Sequence, residues 1–145
     1  MRSMRTRELP LYDRTPVERM DVSNLGSKTR RGVRMAVAAA RSSRHRRRVG
    51  AAALSGGRFL GKACNTPRSN IGIVGHENCS RHAEGALVRR LRDANGADVF
   101  VARLDRTGKL SNARPCVMCV AELRQAGFAR VWFTLEDDCV GVIHL

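Results

Sequence analysis

Aromatic residues are scarce in this 145-residue chain, at 4%; lysine is confined to Lys28, Lys62 and Lys109, and no apolar run is long enough for a membrane span. A transmembrane helix needs about 20 consecutive apolar residues. The start, Met1-Arg2-Ser3-Met4-Arg5-Thr6-Arg7-Glu8, also lacks the apolar stretch of a secretory signal. Five cysteines, an odd number, argue against a disulfide framework and for a reducing compartment, with the cytoplasm as the expectation. The few aromatics weigh against a protein that splays single strands over several stacking platforms. Tyr12 is the single aromatic in the basic N-terminal segment, and Phe59, Phe100, Phe128, Phe133 and Trp132 fall mostly at strand or core positions. Acid is scarce as well: 13 Asp and Glu stand against 27 Lys and Arg, for a formal charge of +14 and a pI near 11.3. Such a field attracts phosphate, whether on a nucleotide or on a strand. Arginine supplies nearly all of it, as a GC-rich coding sequence also would, and a charge run is commonly just a solvated face.

What is present fits one domain. A chain of this length buries roughly two-thirds of its unfolded surface, enough for a core without disulfides and too little for a second catalytic domain. Residues 1–26, broken by Pro10, Pro16 and Gly26, read as a basic arm or extension, and residues 27–145 as the domain. Val33, Ala36, Val37 and Ala40 recur at helical spacing, which predicts a helix over Ser27 to Arg41. The basic cluster Arg44-His45-Arg46-Arg47-Arg48 leads into a strand from Val49 to Leu54. Ser55-Gly56-Gly57 turns it back into Phe59 to Ala63, since adjacent glycines tolerate the positive φ of tight hairpins. A loop over 66–79 is the natural candidate for a pocket wall. Asp98 to Leu104 mixes β-branched and aromatic residues as a strand does, and Val131 to Leu135 and Val140 to Leu145 form an antiparallel hairpin across a short turn.

Two motifs carry chemistry. Arg81 to Leu91 has apolar positions at helical spacing, which puts His82 and Glu84 in a first helical turn with Ser80 as N-cap. A second helix starts near Pro115 and stops at Gly127, so that Cys116 and Cys119 share a face. One His with two Cys is a catalytic zinc ligand set that leaves the fourth tetrahedral position to water, and such a metal yields hydroxide near neutral pH. Glu84, two residues from His82, is placed to move protons. Two facing helix N-termini help keep both thiolates deprotonated. Competing with this are a redox Cys-x-x-Cys with an unrelated capping His, and a structural zinc site closed by Cys79, Cys64, Cys139 or His76.

His82-Ala83-Glu84 followed by Pro115-Cys116-Val117-Met118-Cys119 resembles the cytidine deaminase superfamily, whose signature is H-x-E then P-C-x-x-C. Ala63-Cys64-Asn65 at the end of the second strand, Ser111 to Cys116 and Gly127 to Phe133 extend the likeness to a subgroup of small viral and bacterial deaminase-like domains. The resemblance implies a three-layer α/β/α fold around a mixed five-stranded sheet. It further implies zinc on His82, Cys116 and Cys119, Glu84 as proton shuttle, the Ala83 backbone N–H on the base carbonyl, and the Asn65 side chain on the sugar. An asparagine closing the turn before Thr66-Pro67 is the other reading of Asn65. The expected activity is deamination of a cytosine-type base on a nucleotide or single-stranded nucleic acid, by a homo-oligomer (dimer or tetramer) with no membrane partner. A dCMP-type salvage deaminase, an adenine deaminase of nucleic acid and a non-catalytic zinc-stabilised nucleic-acid-binding module are the alternatives.

Overall fold

The computed structural model describes residues 17–67 and 80–145. In chain order these form β1 (Arg19–Asp21), a single 3-10 turn, α1 (Ser27–Arg41), β2 (Arg48–Ser55), β3 (Arg58–Cys64), β4 (Thr66–Pro67), β5 (Ser80–Arg81) and α2 (Ala83–Arg90). They continue with β6 (Asp98–Leu104), β7 (Leu110–Ser111), α3 (Val117–Gln125), β8 (Arg130–Leu135) and β9 (Cys139–His144). The main sheet has the order β1-β9-β8-β6-β2-β3, with β7 paired to the end of β6, and β4 and β5 form a separate two-stranded ladder. Among the described strands only β6 and β8 run parallel, joined by the crossover that contains α3.

Side chains alternate across a strand, and that alternation sets the layers. Ala51 and Ala53 of β2, Val99 and Val101 of β6, and Val131, Phe133 and Leu135 of β8 gather with Leu87 of α2 and Leu123 of α3. Their neighbours Ala52, Leu54, Phe100 and Ala102 face the other way and gather with Val33 and Ala36 of α1. The result is α1 on one side of the sheet and α2 with α3 on the other, the mixed three-layer arrangement expected. Each large side chain fully buried here, such as Phe133, Leu87 or Leu123, contributes about 1.5–3 kcal/mol of transfer free energy. The run of small residues in β2 has a purpose as well. A Cβ at Gly50 would collide with backbone atoms of Ala36 and Ala40, so α1 lies directly on the strand.

The sheet has seven strands where five were expected. The additional two are β1 and β7, three and two residues long, too short to leave a period-2 pattern in sequence. β1 pairs antiparallel with β9, Arg19 opposite Gly141, and Leu25 is buried in the core beneath α1. Residues 17–26 of the stretch read as a basic arm are thus packed against the sheet, while residues 1–16 lie outside the described set. Phe59, read as a core residue, is 38% exposed on the edge strand β3. No helix among the described residues is long and apolar enough to cross a membrane.

Candidate zinc centre and active site

His82 and Cys116 occupy equivalent places in the fold. Each is the N-cap of its helix, His82 at α2 and Cys116 at α3, both in extended backbone conformation. Ser80, expected as the cap, instead pairs with Pro67 in the β4–β5 ladder, and Pro115 precedes the α3 cap. The reason is local: Thr66 pairs with Arg81, which holds the chain extended up to His82 and delays the helix by two residues. Helix N-termini carry partial positive charge and unpaired N–H groups, so both caps favour anionic donors.

The approach to Cys116 is fixed from the sheet. The buried Thr134 of β8 donates its hydroxyl to the Ser111 carbonyl at 2.8 Å and accepts from the Arg103 N–H at 3.1 Å. Its own carbonyl accepts from the Ala113 N–H at 2.9 Å. Pro115 is then fully buried, and Cys116 follows.

His82 Nδ1 lies 3.2 Å from Cys119 Sγ and 3.9 Å from Cys116 Sγ, and the three donor atoms are within 4.8 Å of one another. A tetrahedral zinc with ordinary Zn–N and Zn–S bonds requires N···S edges of about 3.6 Å, and the two observed edges straddle that value. These residues therefore fit the metal. Among the described residues this cluster holds just these three donors; Cys64 and Cys139 lie outside it. Cys79 and His76 lie outside the described residues.

The electrostatics match a cation site. Cys116, hydrogen-bonded to Cys119 and to His82, is pulled down to about 4, while the same pairing and burial push Cys119 up. The hydrogen bond to Cys116 raises His82. One thiolate is thus ready without metal, and the proton retained on Cys119 is one that a dication displaces. Glu84 is 5% exposed, and burial raises its carboxyl above the ordinary range. It is close enough to feel His82 and yet is not one of the clustered donors. Ala83, the first residue of α2, is fully buried beside it.

Asn65 is buried and heavily engaged. Its Oδ1 accepts from the Ser43 hydroxyl at 2.6 Å and the Val49 N–H at 2.9 Å, and its Nδ2 donates to the Arg47 carbonyl at 2.6 Å. One amide hydrogen has no partner among the described residues. Asn65 directly precedes Thr66, which pairs with Arg81, the residue before His82. Ser43 and Thr134 are the supporting residues that sequence reasoning missed. One of two adjacent Ser before a basic run and a Thr inside an apolar strand give no signal of what they hold.

A His and a Cys at helix caps, a second Cys in the first turn of α3 and a buried acid alongside, on an α/β/α scaffold, define a zinc-dependent hydrolase. The family model described as the cytidine and deoxycytidylate deaminase zinc-binding region matches residues 27–135. The chain belongs to that family. Two solved structures of the dCMP deaminase from the cyanophage S-TIM5 share the fold. The apo form has a TM-score of 0.55 at 19% identity over 75% of this chain and 84% of that one. The complex with dCMP and dUMP has 0.53 at 17% identity over 76% and 83%. No curated protein sequence matches this chain.

Proposed function

We propose that this chain hydrolyses the exocyclic amine of a cytosine base carried on a phosphate-bearing substrate, with His82, Cys116 and Cys119 as zinc ligands and Glu84 as the proton carrier. The observation that carries the reading is Glu84: a buried carboxyl with a raised pKa, next to a three-donor cluster to which it does not belong. When bound, zinc supplies a Lewis acid that makes water a nucleophile near neutral pH. Glu84 takes a proton from that water as its oxygen bonds to the amidine carbon of the base. The same carboxyl hands the proton to the ring nitrogen. A further proton passes through Glu84 to the departing nitrogen, the C–N bond breaks, and ammonia and a uracil-type carbonyl remain. A carboxyl held by burial above its usual pKa is suited to both taking and returning protons. A structural zinc module has no use for such an acid.

The Ala83 N–H, at an uncapped helix start, suits the base carbonyl. The remaining amide hydrogen of Asn65, one residue before the Thr66–Arg81 pair that leads into His82, suits a sugar oxygen. Exposed Val117 and Met118, 47% and 74% accessible as the first two residues of α3, support a homo-oligomer, dimer or tetramer. Thiolate ligands suit a reducing compartment, and the cytoplasm is the expected one.

The test is ammonia release and a one-mass-unit shift from cytosine to uracil in dCMP, cytidine, and cytosine-containing DNA and RNA strands. Glu84→Gln retains zinc and loses at least about a hundredfold in rate. Equal turnover by the variant and the parent chain removes Glu84 from the mechanism.

A further inference from the structure

The charge of this molecule is confined to one part of it. From residue 22 to residue 76 the chain has twelve Lys and Arg and no Asp or Glu at all. The remainder holds fifteen basic residues against thirteen acidic ones and is nearly neutral. Thirteen acids spread evenly would put about five into a stretch of that length, and a coding bias toward arginine does not remove acids from one segment alone.

The greater part of this acid-free stretch forms α1, β2 and β3, one edge of the sheet with the helix that covers it; residues 68–76 lie outside the described set. The acids Glu136, Asp137 and Asp138 sit at the β8–β9 turn, toward the opposite edge. Arg34, Arg41, Arg44, Arg46, Arg47 and Arg58 are exposed on the basic side, and their side chains have no hydrogen bond or ion pair among the described residues. The α1–β2 turn that bears Arg44, Arg46 and Arg47 is not loose: Asn65 grips it through Ser43 and the Arg47 carbonyl. Asn65 in turn precedes Thr66, which pairs with Arg81, the residue before His82. Unpaired cations are thus anchored to the segment that leads into the zinc cluster.

We infer that the α1–β2–β3 surface binds single-stranded nucleic acid and leads it, through the Arg44–Arg47 turn, to the zinc site. This deepens the deaminase reading, and rests on it, by naming a polynucleotide as the substrate. A mononucleotide has its phosphate at one point, whereas α1 alone is about 22 Å long and bears Arg34 and Arg41 two turns apart on its exposed side. A chain of phosphates matches that spread.

The experiment uses the full chain and fluorescein-labelled oligocytidylate, as DNA and as RNA, read by anisotropy across a series of NaCl concentrations. Log affinity is expected to fall with log salt by about 0.7 for each phosphate engaged, over several phosphates. Changing Arg44, Arg46 and Arg47 together to Ser should weaken binding at least tenfold and flatten the slope by about 2. Arg34→Ser with Arg41→Ser, on an exposed helix face, provides a second variant that weakens binding if the first fails to fold. Glu84→Gln should bind the strand as the parent chain does. A flat salt response, undiminished binding by both arginine variants, or arginine-dependent binding to phosphatidylserine vesicles but not to either strand overturns the inference. Turnover of dCMP without strand binding overturns it too and leaves the deaminase reading intact. Arginine-dependent strand binding with no deamination of any substrate supports the surface and overturns the deaminase reading instead.

Discussion

The Ser43 hydroxyl donates to the Asn65 side-chain oxygen at 2.6 Å and to the Asn65 carbonyl at 2.8 Å. With the Val49 N–H and the Arg47 carbonyl, this makes Asn65 the joint between the α1–β2 turn and the end of β3. The amide serves a turn, as one reading of Asn65 from sequence had it, but the turn is the one between α1 and β2 and not one before Thr66-Pro67.

Asn65→Ala is therefore expected to lower stability by about 2–4 kcal/mol, since it strands the Val49 N–H and the Arg47 carbonyl, while the Ser43 hydroxyl keeps its bond to the backbone carbonyl of residue 65. Urea denaturation followed by circular dichroism measures this. Asn65→Asp is expected to be worse than a lost donor alone, because a carboxylate oxygen then faces the Arg47 carbonyl. A loss below about 0.5 kcal/mol for either variant removes Asn65 from the scaffold.

Gly50 should tolerate no side chain. Its Cβ would meet backbone atoms of Ala36 and Ala40, which cannot rotate away as a side chain does. Gly50→Ala is expected to cost about 3 kcal/mol or more by prising α1 off β2, seen as a lower unfolding midpoint. Ala52→Gly, on the same face of the same strand, should cost only about 1 kcal/mol.

The site was legible in this sequence to a degree that the fold edges were not. His82, Cys116 and Cys119 belong to two motifs whose spacing the chemistry dictates, and they converge in space as the motifs require. The helices over Ser27–Arg41 and up to Gly127 and the β2–β3 and β8–β9 hairpins were readable, because period and turn residues reinforce one another there. β1, β5 and β7 were not, because pairing over two or three residues is decided by the neighbouring strand and not by local pattern. The same override moved the cap of α2 from Ser80 to His82. Phe59 went astray because an edge strand leaves one flank open, which periodicity does not reveal.

Thr134 offers a test of how the sheet positions a ligand. Thr134→Val keeps volume and removes the hydroxyl that ties Ser111 to Arg103. The expected cost is about 1–2 kcal/mol in stability. Because the segment from Ser111 to Cys116 is then held less firmly, zinc affinity should fall as well, on the order of 10-fold. Competition against a chromogenic chelator measures it. Lower stability with unchanged zinc affinity means that Pro115, fully buried, fixes Cys116 unaided.

Metal removal should separate the site from the fold. Of the three donors only Cys119 is buried, and the two apolar clusters on either face of the sheet close without the others. Chelated protein is thus expected to keep its secondary structure and cooperative unfolding at a lower midpoint. Free zinc at a hundred times its dissociation constant adds about 2.7 kcal/mol, because it binds the folded chain alone. One zinc per chain is expected by elemental analysis, none in Cys119→Ser. His82→Ala should retain the fold and weaken the metal, since His82 is exposed and its removal opens no apolar core. Loss of cooperative unfolding on chelation means that the metal organises α2 and α3, and that the apolar contact of Leu87 and Leu123 with the sheet does not suffice.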